Sequence, residues 1–180
     1  MTRKLHFTLF LLISFGFLST GQSKMIVGNK HTIFADIPPN WIQAQNDKLP
    51  FFIKPNEKDV SSQTYIYIYG IDYNFNPDLN GWTDSNTRDI IDNFTDVKVD
   101  SINLLFKNLN KDNYLTGRYK VMTYEYKGKR KEALLIIECQ NTIATVVLSA
   151  KDNSEFERLL SAFISIANSF KILGSTLKVE

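Results

Sequence analysis

Cysteine and histidine are nearly missing from this 180-residue chain, which has one Cys and two His. A lone Cys139 cannot close an internal disulfide. With His31 as the only histidine past His6, no cluster of Cys and His exists to hold zinc or another transition metal. Glycine is sparse too, eight in all, and they form neither a Gly-x-x-x-x-Gly-Lys phosphate loop nor a Gly-x-Ser-x-Gly elbow. An excess of either charge is also lacking. With Arg3 and Lys4 set aside, 19 basic residues face 19 acidic ones. Such a balance gives no electrostatic ground for nucleic acid or an anionic membrane as partner. The apolar run Leu5–Leu18 falls short of the roughly 18 residues that a spanning helix needs.

That run has a definite setting. Arg3 and Lys4 precede it, and the small residues Ser19-Thr20-Gly21 follow. Basic start, apolar centre and small-residue end are the parts of a secretory signal peptide, here residues 1–21 with cleavage before Gln22. The expectation is an exported protein, periplasmic or extracellular, with no integral membrane segment after cleavage. Lipid attachment would need a cysteine beside the cleavage site, so a lipoprotein is not expected. Residues 22–30 read as a polar, flexible lead-in, 31–172 as a single domain, and 173–180 as a C-terminal tail. The remaining length is enough for one core.

Strands are expected over His31–Ile37, ending at the turn Pro38-Pro39-Asn40, then Trp41–Ala44 and Phe51–Lys54. Thr64–Ile71 alternates Tyr65, Tyr67 and Tyr69 with Ile66 and Ile68, so the tyrosines share one face and the isoleucines the other. Asp72–Asn80 reads as a loop. Asp84–Phe94 reads as a helix capped by Asp84 or Ser85. Val97–Phe106 reads as a weaker strand. Three long strands follow, Tyr114–Tyr126, Lys131–Gln140 and Thr142–Ala150, joined as antiparallel hairpins. The clearest helix is Ser154–Phe170, whose stripe Phe156, Leu159, Leu160, Phe163, Ile166, Ala167 and Phe170 must lie on the sheet. Ser154 and Glu157 have capping-box spacing. This order gives an α+β fold, an antiparallel sheet covered by helices.

The chemistry-bearing residues are few. Tyr65, Tyr67 and Tyr69, with Tyr119 or Tyr124 from a neighbouring strand, can make an aromatic binding surface, since tyrosine joins contact area to a polar tip. The same row can equally be cross-strand packing. A His31–Cys139 pair requires the fold to bring the two together; His31 otherwise reads as a surface histidine, and Cys139 as a buried small hydrophobe beside Ala133, Leu135 and Ile137. Asn76–Thr87 has oxygen ligands at calcium-loop spacing, but Asn76 stands at the first position and Thr87 at the twelfth, where charge is needed. An Asn/Asp turn is the simpler reading. Glu125, Glu132 and Glu138 on neighbouring strands are candidates for paired-carboxylate hydrolysis; with Lys120, Lys129 and Lys131 nearby, solvated carboxylates paired with lysine are the simpler reading. Asn93-Phe94-Thr95 fits a glycosylation sequon, with Phe94 read as a core residue.

Three segments resemble the PsbP/Mog1-like superfamily of small α-β-α sandwich domains, which includes exported bacterial members. They are the entry Phe34-Ala35-Asp36-Ile37-Pro38-Pro39-Asn40-Trp41, the strands from Arg118 to Ser149, and the closing helix ending Asn168-Ser169-Phe170-Lys171. The resemblance implies a domain that binds proteins rather than catalyses, and it carries over no functional residue. The expectation is therefore a non-catalytic exported binding or accessory protein with another protein as partner and no cofactor. A small hydrolase using carboxylates, or an immunity-like inhibitor of a toxin, are the alternatives.

Overall fold

The computed structural model describes residues 22–175; the expected signal peptide and the end of the expected tail lie outside the described residues. Ten strands and two helices run in the order β1 (Gln22–Val27), β2 (His31–Ile37), β3 (Trp41–Gln43), β4 (Phe51–Pro55), β5 (Tyr65–Asp72), α1 (Leu79–Asn93), β6 (Val97–Ser101), β7 (Leu115–Tyr126), β8 (Arg130–Cys139), β9 (Thr142–Ala150), α2 (Asn153–Ser169) and β10 (Lys171–Gly174). Seven strands make the main sheet, ordered β3-β4-β5-β9-β8-β7-β6, and β1-β2-β10 make a second one. Every pairing is antiparallel. The fold is α+β, with two antiparallel sheets packed on two helices.

Period-two alternation sorts the main sheet into two faces. One face carries Ile66, Ile68, Leu135, Ile137, Cys139, Val146 and Leu148, and packs against α2 and the small sheet through Phe156, Phe163, Ile166, Ile33 and Ala35. The other carries Tyr124, Tyr126, Leu134, Ile136, Ile143 and Val147, and packs against Leu79, Trp82 and Ile90 of α1. Strand β9 is buried along its whole length, as a central strand covered on both faces must be. Cys139 sits with Ala133, Leu135 and Ile137 in the α2 face, and burial pushes its thiol up to about 12. It is an inert packing group.

Several elements differ from the sequence reading. Residues 22–27, expected as a flexible lead-in, form β1 in full register with β2 and tuck Ile26 into the core. Lys171–Gly174, partly assigned to a tail, flanks β2 on its other side. Helix α1 starts at Leu79, well before the expected Asp84. Its cap is Asp78, whose side chain accepts from Gly81 N at 2.7 Å. The supposed calcium loop is thus the first turns of a helix and cannot wrap an ion. Helix α2 is capped by Asp152, which accepts from Glu155 N at 2.9 Å, and not by the box from Ser154. Glu155 turns inward instead and accepts from Ser61 N and the Thr64 hydroxyl.

Candidate functional site

Antiparallel register fixes what lies beside each tyrosine of β5. Tyr65 stands opposite Ser149, Tyr67 opposite Val147 and Tyr69 opposite Thr145, and directly opposite residues share a face. Those three β9 side chains are buried, whereas the tyrosines are half-buried. Helix α1 packs chiefly on β6, β7 and β8, and Tyr67 and Tyr69 border the same apolar cluster as its Trp82 and Ile90. The tyrosine rings cover β9 on this side, each with one flank toward solvent. They run as a ladder: Phe52 to Tyr65 at 5.0 Å, Tyr65 to Tyr67 at 6.0 Å, and Tyr67 stacked on Tyr69 at 5.9 Å and 16°. Burial, with the Glu132 charge adding to it, holds the Tyr67 hydroxyl well above its ordinary range. Burial also raises Tyr69, partly offset by a hydrogen bond involving Thr145. These hydroxyls stay protonated across any ordinary pH and act as neutral donors.

The ladder has packing and surface in the same residues. Its other proposed members do not join it. Tyr124 is on the same sheet face but fully buried beneath α1, its hydroxyl 3.0 Å from Thr87 Oγ1. Tyr119 lies on the opposite face, against Phe106 at 5.6 Å, with its hydroxyl accepting from Phe106 N.

At the Tyr65 end the ladder runs into a cavity of about 490 Å³ lined by Tyr65, Phe94, Tyr126, Lys129, Arg130, Lys151 and three neighbouring polar residues. The Arg130 guanidinium lies 4.1 Å from the Tyr126 ring centre and 5.2 Å from that of Phe94. The two rings meet edge to face at 5.1 Å. Phe94, expected in the core, is 43% exposed and forms the rim. Burial and the Glu132 charge push Tyr126 up to about 12, and its hydroxyl donates to Glu132 at 2.9 Å.

The three glutamates do not assemble. Glu132 stands opposite Tyr124 and faces α1's side, while Glu125 stands opposite Lys131 and faces the other side. Glu138 shares the face of Glu132 but is six positions away on β8, roughly 20 Å of strand. It is buried, accepting from Leu79 N and from Arg118, each at 2.8 Å. A carboxylate at the first residue of α1 favours the helix start, so Glu138 anchors that helix. Glu125 and Glu132 are thus on opposite faces and Glu138 is far along the strand, so no two converge on one cleft as a hydrolytic pair must.

One cluster escaped the sequence reading. His31, taken for a surface residue, is 2% exposed. Its Nδ1 is 2.7 Å from Asp72 Oδ1, which also accepts from Thr142 Oγ1 at 2.7 Å. Thr142 is 2.7 Å from the Tyr114 hydroxyl, which reaches Lys30 O and Asn141 Oδ1. Burial raises the Asp72 carboxyl, but hydrogen bonds from His31, Thr142 and the Lys30 amide outweigh it and bring the group below its ordinary value. Burial pushes Tyr114 up to about 12. Tyr114 forms part of the wall of the larger cavity, about 810 Å³, between β10 and the β8–β9 turn. The imidazole ring is wedged between Gly28 and Gly70: a Cβ on either would fall within 2.4 Å of it. It is a fixed internal strut. His31 is engaged with Asp72 and does not pair with Cys139, whose side chain belongs to the α2-facing core.

Among the described residues no group of three or more His, Cys, Asp or Glu is placed to hold a metal ion, and no helix is long and apolar enough to cross a membrane. The architecture is an α-β-α sandwich, two antiparallel sheets packed against two helices. Two solved structures share it at 14% identity. The cyanobacterial PsbP (CyanoP) of Synechocystis sp. PCC 6803 superposes with a TM-score of 0.53 over 90% of this chain and 99% of its own. LpqN, involved in cell envelope biogenesis of Mycobacterium tuberculosis, superposes with a TM-score of 0.55 over 84% of this chain and 90% of its own. No family model and no curated relative matches the chain. At this identity the likeness is one of fold.

Proposed function

We propose that this is an exported, non-catalytic accessory domain that takes another protein on the tyrosine face of β5. The observation that carries the reading is the half-buried ladder Tyr65-Tyr67-Tyr69, whose rings follow one another along one face of β5. Rigid aromatic side chains pre-held by packing give up little entropy on binding, and tyrosine is enriched where partners meet. The segregation of Glu125, Glu132 and Glu138 speaks against the hydrolase alternative. The fold shared with LpqN and cyanobacterial PsbP supports an accessory role by analogy.

Site-specific photo-crosslinking tests it. A benzophenone amino acid at Tyr65 or Tyr69 should give a discrete protein adduct in cells of the source organism. The same group at Leu105, 86% exposed and away from the ladder, should not. Equal adducts from all three positions, or none, would sink the proposal.

A further inference from the structure

We infer that the cavity at the Tyr65 end of the ladder is a carboxylate-binding pocket, taking a single negative charge carried on an apolar body. This rests on the tyrosine-face reading and identifies the part of the partner that would dock there: an acidic side chain or a chain terminus next to an apolar residue. Lys129, Arg130 and Lys151 line the cavity, with Ser62, Gln63, Ser149 and Tyr65 as further polar groups, and no carboxylate lines it. Two of the three cations have a counter-charge set aside from the lining. Glu132 is 3.6 Å from Arg130 Nε and Asp152 is 3.8 Å from Lys151. Lys129 has no carboxylate within salt-bridge reach among the described residues, so the pocket has one positive charge to spare.

Geometry sets the rest of the ligand. Tyr126 and Phe94 flank the guanidinium at 4.1 and 5.2 Å. Rings on the face of an arginine hold it flat and leave its planar fork for a carboxylate. The same rings, with Tyr65, give an apolar wall for the body of the ligand. At about 490 Å³ the cavity suits one side chain or a small molecule, within the usual range for such sites. One spare charge and this size do not fit a polyanion.

The test uses N-acetyl-phenylalanine against N-acetyl-phenylalanine amide, titrated into the isotope-labelled full chain by NMR. The acid should bind saturably and shift Phe94, Tyr126 and Arg130; the amide should bind at least about tenfold more weakly, as expected when a charge-assisted bond is lost. Arg130→Gln should abolish acid binding. Lys129→Gln, at an exposed position with no role in packing, should weaken it severalfold and decides the matter if the Arg130 variant fails to fold. Equal binding of acid and amide, or unchanged affinity in Lys129→Gln, would overturn the inference. So would sedimentation with phosphatidylglycerol vesicles in the absence of acid binding, which would make the face a lipid surface. Loss of crosslinks with acid binding intact would remove the protein partner and keep the pocket. Loss of acid binding with crosslinks intact would remove the pocket alone.

Discussion

The His31 ring fills the space that a side chain at Gly70 would need, because a Cβ there would lie 2.4 Å from His31 Nε2. Gly70→Ala should therefore cost about 1–3 kcal/mol, the usual range for overpacking a filled site. In a His31→Ala background the same substitution should cost much less, because the obstacle is gone. Urea unfolding of the four proteins of that cycle measures the coupling. Asp72 governs the acid response of the same cluster. Its folded-state carboxyl is lowered, so its contribution to stability is present above its unfolded value, roughly 3.9. That contribution fades as pH falls through the lower folded value. Asp72→Asn should be clearly less stable than wild type at pH 7, and the gap should narrow toward pH 3. A gap constant with pH would mean that the charge of Asp72 plays no part. None of this cluster was legible in the sequence. Its members are spread from residue 30 to residue 142 and meet only because the start of β2, in the small sheet, packs against the end of β5 and the start of β9 in the main sheet.

Helix boundaries show where reading the sequence works and where it stops. Strands β5, β7, β8 and β9 emerge from period-two alternation or long apolar runs, because burial on the sheet faces imposes that pattern directly. Helix α1 has a polar, Asn- and Asp-rich start, Leu79-Asn80-Gly81, that looks like a turn. It forms because Asp78 caps it and Glu138, brought from β8, accepts from the Leu79 amide. The second contact belongs to tertiary structure and leaves no local trace. At α2 the expected box from Ser154 gives way to a cap from Asp152, and the Glu155 side chain binds the Ser61–Thr64 loop. Asp152→Ala should then cost about 0.5–2 kcal/mol in urea unfolding. Ser154→Ala should stay within about 0.5 kcal/mol. The reverse order would show that the capping box forms after all. As for the candidate site, the alternation disclosed the tyrosine ladder but not the cationic pocket at its end, since Phe94, Tyr126 and Lys151 come from three separate elements.

At the scale of the molecule, the small sheet is the least expected feature. Strand β2 has β1 on one side and β10 on the other, so both ends of the described chain lie against the same strand. A chain beginning at Asn29 would lose β1 and the buried Ile26. It should still fold, with stability lower by about 2 kcal/mol or more from that side chain alone. A thermal melt of the shortened protein checks this; an unchanged midpoint would mean that β1 is only loosely attached.

The position of β2 also orders events in time. A strand near the start of the chain gains one of its two neighbours only from Lys171–Gly174, after nearly everything else has been made. Pairings of such wide sequence separation form slowly. A nascent chain thus cannot complete the small sheet until Lys171–Gly174 has been made, whereas all seven strands of the main sheet precede that segment.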